Sequence, residues 1–350
     1  MSDDLEPISP SAAVERHLDI VDYDNAEWTH TSHESDLRPF VEFCREEGGI
    51  DNLNNLSGRD IYDYRNWRRK GGYSNGQDED LAKKTVHSNL STLRSFLRNV
   101  EDIDAVPDDL CLSVPLPELS DDDEVSDSKI VPGRVPPILD YLERYEYASR
   151  DHAVWMLLWR GLRTGAIRAP DIRDVDIDSQ EPGIKLKNNP DEGTRLKNGE
   201  KSERFVRLTG RDAKVLEGWI EGPRPDVTDE YGRQPLITTT SGRVSASCIR
   251  DAVYRWTRPC ARGEECPHDR DPETCEATEH SSMSKCPSSR SPHDVRKARV
   301  TKFRNDGVPR PVVSDDLDAS EKILDKHYDR ASNREKAARR WEIISRNIDQ

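Results

Sequence analysis

The chain has 350 residues, with 68 acidic against 53 basic side chains, a formal net charge of −15 and 33% hydrophobic residues. A membrane-spanning helix needs about 20 consecutive apolar residues; the most apolar stretch, Ala153 to Trp159, is bounded by Asp151 and His152 and by Arg160 and Arg163, so none is expected. Met1 to Glu6 carries three acids and no basic stretch, so no secretory leader is expected and a cytoplasmic protein is predicted.

Two domains are expected at this length. Pro7, Pro10 and several serines predict a flexible arm over residues 1–17. Residues 18–119 read as a helical domain. From Ser32 onward Leu37, Phe40, Val41 and Cys44 share one helical face, and Gly48 and Gly49 end the run. Ser57 is placed to cap a helix bearing Ile61, Tyr64 and Trp67. The segment from Thr85 to Val100 repeats the pattern with Val86, Leu90, Leu93 and Leu97. Pro115, Pro117 and the acids Asp121, Asp122, Asp123 and Glu124 predict an acidic linker, placed at 120–131. Residues 132–330 form the second domain, with an apolar helix from Trp155 to Gly161 and alternating strands over 183–187 and 204–208 that pair as a hairpin. A Cys-rich insertion occupies 258–290, and 331–350 is a helical tail with Ala337, Ala338, Trp341 and Ile344 on one face. The expected fold is mainly α with a small antiparallel β-sheet.

Four separated segments carry chemistry. They are Arg160-Gly161-Leu162-Arg163 with its continuation to Arg168, the hairpin tip from Leu196 to Arg204, Ser291-Pro292-His293-Asp294-Val295-Arg296, and Asp325-Lys326-His327-Tyr328-Asp329-Arg330. In this order they resemble the tyrosine recombinase, or phage-type integrase, family, most closely its members from halophilic archaea. The most specific part is His293-x-x-Arg296 followed by Tyr328, 32 positions after the arginine (328 minus 296). The resemblance implies a helical core-binding domain followed by an α+β catalytic domain that together clamp duplex DNA. It matches Arg163, Lys197, His293, Arg296 and Tyr328 to the catalytic residues.

The chemistry accounts for these residue types. Breaking a phosphodiester while conserving its bond energy needs a protein nucleophile, and a phenol with a pKa near ~10 suits reversible attack once a neighbour helps it ionise. Two guanidinium forks can hold the nonbridging oxygens. A lysine can protonate the departing 5′-oxygen, and a histidine can exchange the nucleophile's proton. His293 and Arg296, at i and i+3, suit one helix face. No cofactor is required. Arg168 competes with Arg163 for the first role, and Lys201 with Lys197 for the general acid. Two positions depart from the family pattern. Ala319 stands nine before the tyrosine, where a His or Trp is usual, and Ala166 stands three after Arg163, where an acid is common.

Cys260, Cys266, Cys275 and Cys286, with His268 and His280 between them, suggest a structural zinc in the insertion, although no Cys-x-x-Cys knuckle is present; free thiols are the other reading. Cys44, Cys111 and Cys248 are expected in the core. Arginine outnumbers lysine more than two to one and the acids are spread along the chain, as in proteins of organisms that keep molar salt in their cytoplasm. Against this acidic background Arg65, Arg68, Arg69, Lys83, Lys84, Arg94 and Arg98 form a candidate DNA-binding face. The leading expectation is a DNA recombinase acting in a homo-tetrameric synapse on double-stranded DNA. The contrasting one is a DNA-binding relative without turnover, and a weaker third is a topoisomerase-like relaxing enzyme.

Overall fold

The computed structural model describes residues 5–24, 27–73, 80–120, 123, 130–322, 324, 337, 341 and 344–345. The chain divides into two compact units, Met1–Ser126 and Asp127–Gln350.

The first unit is helical: α1 (Pro10–Asp24), α2 (Glu27–Glu46), α3 (Gly58–Arg69) and α4 (Lys83–Glu101). Ser57 caps α3 in a reciprocal capping box with Asp60, which fixes where that helix starts. The apolar stripes predicted from spacing meet in one core of Leu37, Phe40, Ile61, Tyr64, Leu90, Leu93 and Leu97, which Phe96 joins. Phe40 and Tyr64 meet edge to face at 5.4 Å. The flexible arm expected over 1–17 is corrected from Pro10 onward. Ala13, Val14, His17 and Leu18 are buried, and α1 is held by its apolar side against α2 and α4. Pro10 misled because a proline at a helix's first position costs nothing; its missing N–H would have no partner there anyway. The acidic linker lies largely outside the described residues.

The second unit is α+β. Helices α5 (Val135–Tyr145), α6 (Arg150–Trp159) and α7 (Thr164–Arg168) are followed by the short strand β1 (Val175–Asp176). Strands β2 (Gly183–Leu186) and β3 (Arg204–Arg207) pair antiparallel with Ile184 opposite Val206, and β1 adds to the outer edge of β2. Helix α8 (Gly210–Glu221), the two-stranded ribbon β4 (Thr238–Thr239) and β5 (Gly242–Arg243), and α9 (Ala246–Thr257) precede the insertion. Helices α10 (Pro292–Asn305) and α11 (Arg310–Leu317) follow it. Helix α6 is apolar on nearly every side and is buried accordingly from His152 to Leu158. Around it gather Ile138, Leu142, Ile184, Leu216, Trp219, Val253 and Val295. No helix among the described residues is long and apolar enough to cross a membrane.

Candidate active site

Helix α6 ends at Trp159, and the chain reverses through Gly161, whose φ is +90°. A Cβ there would lie 2.0 Å from Leu317 Cδ2, so both the backbone conformation and the close approach of α11 require glycine. Two residues later Arg163, extended at the N-cap of α7, sends both terminal nitrogens to Asp318, one to its carboxylate and one to its backbone carbonyl. Asp318 ends α11 in the left-handed region, with φ 49° and ψ 54°. Its carboxylate also accepts the Ser202 hydroxyl at 2.7 Å and the Asn198 amide at 3.1 Å. Both donors come from the long excursion between β2 and β3, which brings this loop against the end of α11.

Arg296 approaches the same place from α10. It is buried, and its terminal nitrogens donate to the Gly161 and Leu317 carbonyls. The C-terminus of α11 thus receives two guanidinium groups, as expected where exposed carbonyls carry partial negative charge. Arg204 lies alongside, donating from Nε to the Asp316 carbonyl at 3.2 Å and from a terminal nitrogen to the Ser202 carbonyl at 3.0 Å. Burial lowers the Arg204 pKa; nearby Asp318 opposes this shift and nearby Arg163 adds to it.

His293 is the second residue of α10 and is exposed. The start of that helix is fixed by Ser291, whose amide and hydroxyl donate to the Asp294 carboxylate at 2.9 and 2.8 Å. Although His293 and Arg296 are one turn apart, one is exposed and the other buried. Lys197 and Lys201 are both exposed in the β2–β3 loop. Arg168 is turned elsewhere, its Nε donating to the Val244 carbonyl at 2.9 Å. Tyr328 and its neighbours from Asp325 to Arg330 lie outside the described residues. Ala319 is buried in a small cluster with Val300, Val313, Leu317 and Leu324, so this position serves packing.

The basic face proposed on the first unit is reduced. Arg68 is buried, donating from Nε to Asn89 Oδ1 at 2.9 Å and from a terminal nitrogen to the Gly72 carbonyl. It lies one and two turns beyond Tyr64 and Ile61 on the face that turns inward, which corrects its assignment to DNA. Arg94 is half-buried and donates to the Val114 carbonyl, and Lys83 pairs with Asp123 at 3.1 Å. Arg69, Lys84 and Arg98 are exposed, and Arg65 is half-buried.

Among the described residues no group of three or more His, Cys, Asp or Glu side chains is disposed to hold a metal, so Cys260, Cys266, Cys275 and Cys286 are not gathered into a site. His268 instead meets the Ser288 hydroxyl at 2.8 Å, and His280 faces Asp251 at 3.5 Å. The insertion is organised by buried Ala277 and Met283, by Arg258 donating to the Ala277 carbonyl, and by Ser289 donating to the Met283 carbonyl at 2.6 Å.

Reading the sequence singled out Arg163 and Arg296 but not Ser202 or Asp318. A serine in a polar loop and an aspartate among several carry no spacing signal; only the fold shows that they meet. Together these groups gather at the end of a short helix in the α+β unit, which follows the helical unit in the chain. This order of units is similar to the fold of solved recombinases and integrases. Residues 20–101 match the phage integrase N-terminal SAM-like domain. The integrase of transposon Tn1549, solved in complex with transposon right end DNA, is 15% identical with a TM-score of 0.61, the match covering 97% of this chain and 100% of that one. The XerH site-specific recombinase bound to its palindromic difH substrate is 13% identical with a TM-score of 0.63, covering 95% and 85% of the two chains. A lambda integrase dimer bound to a COC′ core site is 12% identical with a TM-score of 0.59, covering 94% and 97%. No curated protein matches the sequence.

Proposed function

We propose that this protein is a site-specific DNA recombinase that cuts and rejoins strands through a 3′-phosphotyrosyl bond to Tyr328, in a tetrameric synapse and in a salt-rich cytoplasm. The observation that carries this reading is the convergence of Arg163, Arg296 and the β2–β3 loop on one end of α11. In the proposed reaction the Tyr328 oxygen attacks phosphorus and passes its proton to His293 or water. The bond from phosphorus to the 5′-oxygen breaks, and Lys197 supplies the proton that the departing oxygen needs. Arg163 and Arg296 stabilise the charge on the nonbridging oxygens. Attack by a 5′-hydroxyl reverses the step and reseals a strand. Arg65, Arg69, Lys84 and Arg98 are the assigned backbone contacts on the first unit, with Lys83 and Arg94 at its margin. The exposed Trp341 and Ile344 are candidates for contact between protomers.

The test is recovery of protein-linked DNA under SDS, without crosslinker, from cells expressing the wild type or Tyr328→Phe. The expected result is attached DNA in the wild type alone, and sequencing it identifies the target site. A second reading, a DNA-binding relative without turnover, is favoured by one observation: buried Ala319 leaves no side chain at its position to contact a phosphate. It predicts sequence-specific binding with no adduct from either protein.

A further inference from the structure

The donors around Asp318 come from two parts of the chain: Arg163 before α7, and Asn198 and Ser202 from the β2–β3 loop. Each donates to the same side chain. The Asp318 carboxylate is largely enclosed, at 14% exposure, and so is the Ser202 hydroxyl that reaches it, in a residue 2% exposed. A carboxylate and one edge of a phosphodiester make the same demand on such donors: two oxygens sharing one negative charge, best met by a guanidinium fork and flanking hydrogen bonds. Both terminal nitrogens of Arg163 are committed to Asp318. While the Asp318 carboxylate stays in place it occupies Asn198, Ser202 and one terminal nitrogen of Arg163, and left beside the phosphate it would repel it at short range.

We propose that Asp318 is a built-in competitor for the substrate phosphate: Arg163, Asn198 and Ser202 form the set that receives a DNA phosphodiester, which enters by displacing the Asp318 carboxylate. This adds Asn198 and Ser202 to the phosphate-contacting residues and rests on the reading of Arg163 as one of them. Release does not require α11 to undock. Leu317 and Ala319, on either side of Asp318, are anchored in the small cluster with Val300 and Val313, so rotation of the Asp318 side chain frees Asn198, Ser202 and one terminal nitrogen of Arg163, the other staying on the Asp318 carbonyl. The device holds weak, free anions out of the site while admitting a phosphate that DNA contacts elsewhere hold in place.

The experiment titrates the full chain with inorganic phosphate by calorimetry, comparing wild type with Asp318→Asn and Asp318→Gly. Asparagine and glycine both tolerate the left-handed backbone at this position, so neither variant is expected to strain it. The expected result is phosphate binding tighter by about tenfold in both variants, the scale of one charge-assisted contact. The gain disappears when Arg163→Gln is added and shrinks with Ser202→Ala. Phosphate affinity that is unchanged or weaker in both variants, with wild-type melting, overturns the proposal and makes Asp318 a positioning partner of Arg163. A second arm measures SDS-resistant adducts on duplex DNA, expected to form faster with Asp318→Asn. Tighter phosphate binding with no adduct from any variant supports the competitor role and counts instead against the Tyr328 chemistry.

Discussion

Gly161 shows how one residue without a functional group governs a site. Its positive φ and its contact with Leu317 place the Arg163 backbone on one side and the end of α11 on the other, and its carbonyl accepts from Arg296. Gly161→Ala is expected to cost about 2 kcal/mol or more, because alanine resists that φ and its methyl group must push Leu317 away. Denaturant unfolding measures the loss, and calorimetric phosphate titration of the folded protein is expected to show the donor set disturbed as well. The Gly-Leu-Arg order was legible in the sequence, but the partner that makes the glycine obligatory is over 150 positions away and was not. The same holds for Arg163 against Arg168: spacing offers both, and only the fold shows one facing Asp318 and the other Val244.

The docking of α1 depends on a buried polar contact at the level of whole helices. His17 is 1% exposed, stacks on His33 of α2 with ring centroids 5.2 Å apart, and lies 3.0 Å from both His33 Nδ1 and Asn99 Nδ2. A neutral imidazole satisfies this set: Nε2–H donates to His33, and Nδ1 accepts from Asn99. Burial first, and the neighbouring His33 second, lower the His17 pKa to about 4. The folded state therefore resists the proton that the unfolded chain takes up near pH 6.5. Stability from this group is intact above pH 6.5 and declines as pH falls toward 4, by about 3 kcal/mol at most. Protection of α4 amides in the full chain, taken relative to intrinsic exchange at each pH, is expected to fall across that window, and His17→Gln to flatten the dependence. The helix-capping serines and apolar stripes of this unit were readable in advance because they are local. Helix α1 was not, since prolines and serines suit both an arm and a helix start.

Across the whole molecule the charge is −15, so any DNA contact must work against a repulsive average field. On the proposed reading, binding is carried by a few exposed arginines and lysines. Arg69→Ala is expected to reduce the slope of log affinity against log salt by about 1 while leaving melting unchanged. Arg68→Ala, one residue earlier but buried on Asn89 and Gly72, is expected to lower stability by about 1–3 kcal/mol. Titrations of duplex DNA at several salt concentrations, paired with thermal melts, separate the two. The sequence by itself determined the helical class and the hairpin pairing, expected over 183–187 and 204–208 and found over 183–186 and 204–207. These depend on periodicity and turn residues, both of which are short-range. Only the tertiary structure decided which arginines face inward and that Asp318 meets Arg163, Asn198 and Ser202. Those outcomes are fixed by contacts between residues far apart in the chain, where linear spacing carries no information about distance.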